Sequence, residues 1–204
     1  SGNMVVDIGG GTTDIVVYSE GGVVHSSTVP VGGNMLTNDI ALGLKTTFAD
    51  AEAVKRVHGA GADEGDGDPG FPVHTLDGRT QRMVTRAQLR AIVVPRMMEI
   101  FRMAKTHISE HVPRDLMLAE VVITGGGAHL RGIEALATEC FGVPVRIGVP
   151  TAVGGLMDAV RQPQYATAVG LVLFGPKGDG SMPNGRRRKS TVLRMMAWLG
   201  DIWS

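Results

Sequence analysis

The stretch Val5 to Tyr18, VVDIGGGTTDIVVY, sets three consecutive glycines between two β-branched runs, with Asp7 and Asp14 flanking them. Two such runs joined by a short glycine-containing loop read as a β-hairpin. A two-residue hairpin turn needs one or two glycines, so the surplus calls for another reason. Without a Cβ, successive glycine N–H groups can point at one bound anion. Thr12 and Thr13 add hydroxyl donors. Asp7, at the end of the first strand, is a hard oxygen ligand for Mg²⁺, directly or through water. Gly9, Gly10, Gly11, Thr12 and Thr13 are therefore candidate phosphate ligands; a hairpin with a loose tip is the alternative. No Gly-Lys-Ser/Thr follows, so this is not a Walker loop. A strand rather than a helix follows, so it is not the dinucleotide fingerprint.

The 204 residues, 43% hydrophobic, suffice for one large domain or two small ones. Cys140 is the single cysteine, which leaves no intrachain disulfide and no cysteine-based zinc site. No run of 18 apolar residues and no signal peptide is present. The chain opens on Ser1 and enters its first strand almost at once, and we expect it to begin inside a longer protein. The net charge of zero conceals a split. Arg186, Arg187, Arg188, Lys189 and Arg194 stand against Asp201 alone in the last segment, so the remainder is mildly acidic. A neutral total argues against nucleic acid as a partner, and the basic tail points to some other anion.

Further along, Gly22 to Val31 alternates as a third strand. Thr37 is placed to cap a helix over about 38–44, and a second helix is expected over about 48–58. The polar stretch Gly59 to Gly70 resembles a calcium loop only briefly. Gly70 stands where a ligand is needed, and the twelfth position from Asp66 is not glutamate. Asp77-Gly78 reads as a type I′ hairpin turn. Thr85-Arg86-Ala87-Gln88 has the form of a capping box. It opens a long amphipathic helix with Leu89, Ile92, Val93, Met97, Ile100, Ala104 and Ile108 on its apolar side, and Pro95 is expected to kink or break it. A helix is expected over about 133–141, a short strand over about 143–147 and an apolar helix over about 165–174.

Between these, Val121 to Leu130, VVITGGGAHL, carries a second triple glycine after a buried strand. In open α/β sheets, ligands sit beyond the carboxyl ends of such strands. Thr124, Gly125, Gly126 and Gly127 offer bare backbone suited to a base or sugar; a tight strand-to-helix turn is the alternative. Glu52 and Lys55, three apart, share one helix face. A carboxylate there can accept from ribose hydroxyls while the ammonium meets a base edge or a phosphate. A solvated helix face is the plainer reading.

Glycines punctuate residues 175–185 as a linker. In the last fifteen residues, Val192, Met195, Met196, Leu199, Ile202 and Trp203 fall on one helical arc, flanked by Leu193 and Trp198. Arg194 and Asp201 lie opposite, and the cations Arg186, Arg187, Arg188 and Lys189 precede the helix. The segment is too short to span a bilayer and suits lying in its interface. The alternative is a terminal helix docked on its own domain.

DIGGGTTD resembles the second phosphate motif of the actin–DnaK–sugar-kinase superfamily, and TGGGAHL its adenosine motif. AEAVK is similar to the Glu-x-x-Lys element that touches adenosine in DnaK-type members. VPVGGNMLTNDIALGL, VVPRMMEIF, VRIGVP, VGGLMDAVRQPQYATAVGLVLFG and the basic amphipathic end together resemble the FtsA family of actin-like bacterial cell-division proteins. Val94 departs from the acid that usually precedes Pro-Arg there, and the Gly59–Gly70 loop is unusually rich in Asp and Gly.

The resemblance implies an α/β, actin-like (ribonuclease H-like) fold, present as one half only: a mixed sheet flanked by helices, with an inserted α+β subdomain. Residues 1–32 and 119–174 would form subdomain 2A and 33–118 subdomain 2B. A flexible basic linker, 175–189, and a membrane-targeting helix, 190–204, would follow. It implies ATP and Mg²⁺ as ligands, with at most weak ATPase activity, and assembly into filaments. It also implies binding of the C-terminal peptide of the tubulin-like FtsZ through 2B, with Arg86 and Arg90 as candidate contacts. The tail's anion would be phospholipid, on the cytoplasmic face of the inner membrane at the division septum. A PilM-like scaffold of pilus assembly, or a sugar-kinase or DnaK-type ATPase fragment, is the alternative.

Overall fold

Gly2, Met4, Val6 and Ile8 are buried, while Asn3 is exposed and Val5 and Asp7 are half-buried. That period-two burial is what a strand with one face on a core requires. The computed structural model describes residues 1–60, 68–113, 115–151 and 160–174. The chain divides into two units, Ser1–Leu173 and Phe174–Ser204. The basic run Arg186–Lys189 and the amphipathic segment 190–204 lie outside the described residues, as does most of the Gly59–Gly70 loop.

In the first unit, β1 (Gly2–Ile8), β2 (Thr13–Ser19) and β3 (Gly22–Val29) form an antiparallel meander. β6 (Leu118–Thr124) pairs parallel with β1, and β7 (Val145–Ile147) parallel with β6. The sheet order is β3-β2-β1-β6-β7. Because β1 and β6 run the same way with Asp7 opposite Thr124, the loops that follow them emerge at one sheet edge. The two glycine triplets, far apart in sequence, are thereby brought together.

Between β3 and β6 lie α1 (Gly33–Gly43), α2 (Phe48–His58), the hairpin β4 (Phe71–His74) and β5 (Gln81–Val84), and α3 (Arg86–His111). α4 (Ile133–Phe141) follows β6, and α5 (Ala166–Phe174) comes last among the described elements. α3 buries Leu89, Val93, Met97, Ile100, Phe101, Ala104 and Ile108, a stripe that keeps helical period over its whole length. The capping box is present: Thr85 Oγ1 accepts from the Gln88 amide and the Gln88 side chain accepts from the Thr85 amide.

Three local expectations need correction. Thr37 does not cap α1. The helix starts four residues earlier at Gly33 with no side-chain cap, because carbonyls of the first glycine loop satisfy its leading amides. Asp77-Gly78 is not a two-residue type I′ turn. Six residues join β4 to β5, and only Gly78 has positive φ. The Asp77 carboxylate accepts from the Thr75 hydroxyl and the Arg79 and Thr80 amides, which builds a wider turn. These bonds hold the carboxyl down at about 2. Nor does Pro95 break α3, which is continuous through it. Pro95 is exposed, so its missing N–H falls on the water-facing side.

Candidate functional site

The first loop is held from behind by α1. Gly33 N donates to the Gly9 carbonyl at 2.8 Å and Asn34 N to the Gly10 carbonyl at 2.8 Å. A Cβ on Gly32 would lie 2.6 Å from the Gly9 oxygen, so only glycine permits this approach. With these carbonyls turned toward the helix, the amides of Gly10, Gly11 and Thr12 donate to nothing among the described residues. Unpaired neighbouring amides of this kind form an anion-binding concavity.

Thr13 takes no part in it. Strand alternation buries the residue, and its hydroxyl donates to the Val31 carbonyl at 2.7 Å. Thr12, exposed one residue earlier, keeps its hydroxyl outside the core.

Asp7 lies at the end of β1, half-buried. Its Oδ2 accepts from the Thr167 hydroxyl on α5, a contact across 160 residues that no local pattern announces. Among the described residues no group of three or more His, Cys, Asp or Glu could hold a metal ion. A single carboxylate is still compatible with Mg²⁺, which takes one or two carboxylates and keeps water and phosphate for the rest.

The second loop divides its duties. The Thr124 hydroxyl lies 3.0 Å from the carbonyls of Gly148 and Pro163, and Gly125 N donates to Pro163 at 3.1 Å. Thr124 and Gly125 therefore anchor the loop rather than face a ligand. Gly127 packs on Ile8, where a Cβ would lie 2.4 Å from Cγ2. Gly126 has open space around it.

Gly9, Gly10, Gly33, Glu52, Lys55, Gly126 and Gly127 line one cavity of about 600 Å³. Arg56, His129, Arg131, Gln162 and Gln164 complete its polar wall. These five come from α2 and from turns after β6 and before α5, and sequence reading missed them; only proximity to the motifs could have suggested His129. Asp7, Gly11 and Thr12 stand beyond this lining, with the free amides of Gly11 and Thr12 at the outer turn of the loop. The expected Glu52–Lys55 pair is formed, Nζ to Oε2 at 2.6 Å. Burial pushes the Glu52 carboxyl up, but hydrogen bonds from Lys55 and Thr37 and the charges of Lys55 and Arg56 outweigh it, leaving the group below its ordinary value.

Arg86 and Arg90 are not equivalent. The Arg86 guanidinium pairs with Asp68, which also accepts the Arg86 amide. Arg86 thus fastens the start of α3 instead of standing on its exposed face; Arg90 is exposed.

A family model described as "Cell division protein FtsA" matches residues 4–170. Cell division protein FtsA of Pseudomonas aeruginosa is 40% identical over 180 residues, covering 85% of this chain and 42% of that protein. The protein of the same name from Escherichia coli K12 is 37% identical over 212 residues, covering 97% of this chain and 50% of that protein. The chain spans about half the length of these curated relatives. Among solved structures, MreB 5 of Spiroplasma citri bound to AMPPNP matches with a TM-score of 0.66 at 21% identity, covering 85% of this chain and 52% of that one. That likeness shows the fold, which is of the actin-like ATPase kind.

Proposed function

The chain belongs to the FtsA family of cell-division proteins, and from that premise we propose that it contributes half of an ATP-binding, self-assembling adaptor that ties FtsZ to the membrane. The observation that carries the nucleotide part is the apposition of the two glycine loops around one cavity of about 600 Å³. The Gly10, Gly11 and Thr12 amides would hold phosphate, and Glu52 with Gly126 and Gly127 the nucleoside. Mg²⁺, when bound, supplies positive charge against the phosphates, and Asp7 would hold it, directly or through water.

The FtsZ C-terminal peptide would bind within residues 33–118. There Gly43, Leu44, Arg82, Met83, Val84, Gln88, Ala91 and Ile92 line a groove of about 300 Å³, and Met83 is exposed. An apolar side chain flanked by an acid suits such a groove. Contacts with further copies would build a filament, as actin relatives do. The tail would attach it to anionic phospholipid on the cytoplasmic face of the inner membrane at the septum. No helix among the described residues is long and apolar enough to cross a membrane. The family match favours this reading over the PilM-like and sugar-kinase or DnaK-type alternatives.

Calorimetry of ATP·Mg²⁺ against the chain tests the nucleotide half of the reading. Heat that saturates, and that Gly126→Ala weakens, supports it; no saturable heat up to several millimolar ends it.

A further inference from the structure

Lys55 has all three of its ammonium donors committed inside the protein. Nζ lies 2.6 Å from Glu52 Oε2, 2.7 Å from Thr37 Oγ1 and 3.1 Å from the Gly33 carbonyl. An ammonium carries three N–H bonds and no lone pair, so none remains for a ligand. Its side chain is 15% exposed, against 36% for Glu52. Glu52 makes its described contacts through Oε2, and Oε1 stays available as an acceptor beside the cavity that both residues line.

Thr37 joins these groups to the first loop. It is fully buried. Its hydroxyl accepts from Lys55 and lies 2.6 Å from Glu52 Oε2 and 3.0 Å from the Gly33 carbonyl. One hydroxyl proton serves one of these two acceptors at a time. Gly33 is the residue whose amide donates to Gly9, and Asn34 beside it donates to Gly10. The line of hydrogen bonds therefore runs from Glu52 through Thr37 and Gly33 to the loop whose outward amides are unpaired.

The geometry points to Thr37 as a positioning residue and to Lys55 as a brace rather than a ligand. Together they couple the nucleoside end of the cleft to the phosphate end. A ribose hydroxyl donating to Glu52 draws on the carboxylate's electron density and weakens its claim on the Thr37 proton. That proton then turns to Gly33, and the first turn of α1 resets the Gly9–Thr12 backbone. The coupling rests on the nucleotide reading proposed above, but the brace exists without ligand and can be tested without it.

Thr37→Val keeps the side-chain shape and removes the hydroxyl, and Thr37→Ser restores it. In the ligand-free chain, amide resonances of Gly10, Gly11 and Thr12 should move in the Val variant and return in the Ser variant. ATP affinity should fall about tenfold in Thr37→Val, as for one buried hydrogen bond lost, and adenosine affinity by less than about threefold on the same scale. Lys55→Met should shift the same loop resonances. Unmoved loop resonances in both variants overturn the coupling. Loss of adenosine binding in Lys55→Met, with the loop signals in place, makes Lys55 a ligand and overturns the brace. A parent chain that binds neither ATP nor adenosine overturns the nucleotide reading alone, and the loop resonances still decide the brace.

Discussion

Gly125 approaches Asp7 so closely that a Cβ on it would lie 2.2 Å from the Asp7 Oδ1 atom and 2.6 Å from the Ile8 carbonyl. Its φ of +81° excludes most side chains independently. The second triple glycine is thus partly a packing device: Gly125 and Gly127 let the end of β6 press against the end of β1. Gly126 has no such duty. Gly125→Ala should therefore destabilise the fold by about 3 kcal/mol or more, combining backbone strain with overpacking. Gly126→Ala should leave the melting temperature close to the parent's while weakening nucleotide binding. Thermal melts paired with calorimetry check this; equal melting losses for the two variants would contradict the division.

The Glu52 network has a pH signature. Its carboxyl is lowered from an ordinary value of 4.5 by Lys55, Thr37 and Arg56 against the opposing push of burial. A depressed folded value means stability that is complete above the unfolded value and is lost as pH falls through the folded one. Parent and Glu52→Gln should therefore differ most in melting temperature near neutral pH and converge below pH 4.5. A gap that widens in acid would reverse the sign and refute the assignment of the cause.

Elements with local signals were legible from sequence. The helices at 48–58 and 133–141 fall where apolar spacing put them, and the Thr85–Gln88 box is an interaction spanning three residues. What escaped was set from a distance. α1 begins at Gly33 because loop carbonyls that precede it by more than twenty residues take its first amides. Thr13 looked like a ligand beside Thr12, yet strand alternation and the Val31 carbonyl turn it inward. Arg86 looked like an exposed helix cation until Asp68, across the preceding hairpin, claimed it. The site followed the same rule. Its glycine loops and the Glu52–Lys55 spacing could be read locally, whereas Thr37, Thr167 and the Gln162–Gln164 wall belong to the site only through the fold.

That pairing changes the expectation for the FtsZ-type peptide. Arg86→Ala should lower the melting temperature, since it frees the start of α3 from Asp68, and should change peptide affinity little. Arg90→Ala should weaken peptide binding. Titration of the labelled chain should move amide signals within 33–118 far more than elsewhere. Shifts confined to the glycine loops would place the peptide elsewhere.

The tail prediction stands on sequence pattern alone. Deleting Ser190–Ser204 should abolish flotation with anionic vesicles and leave the circular dichroism of the remaining chain that of a folded protein. Trp198→Glu should do nearly as much, because it sets a charge among groups that bury in the interface. High salt should weaken binding only in part, since it screens the cations Arg186–Lys189 and not the apolar arc. Undiminished flotation of the truncated chain would remove the membrane from the proposal.

The last prediction concerns the limits of this chain as a nucleotide site. Its two loops meet at one cavity lined by Gly10, Glu52 and Gly126, while the unpaired amides of Gly11 and Thr12 and the Asp7 carboxylate lie outside that lining. The chain spans about half the length of its relatives, and we place the facing phosphate wall in the part of them that it does not span. Phosphoryl transfer depends on positioning and charge stabilisation around the whole phosphate, so one wall should bind without catalysing. The expected affinity for ATP·Mg²⁺ is near millimolar, or about −4 kcal/mol. Phosphate release should not exceed background. Adding the polypeptide that corresponds to the remaining half of an FtsA relative should tighten ATP more than adenosine, and Asp7→Ala should then remove the Mg²⁺-dependent part of that gain. Micromolar affinity with steady turnover by this chain alone would mean that its own residues complete the cleft.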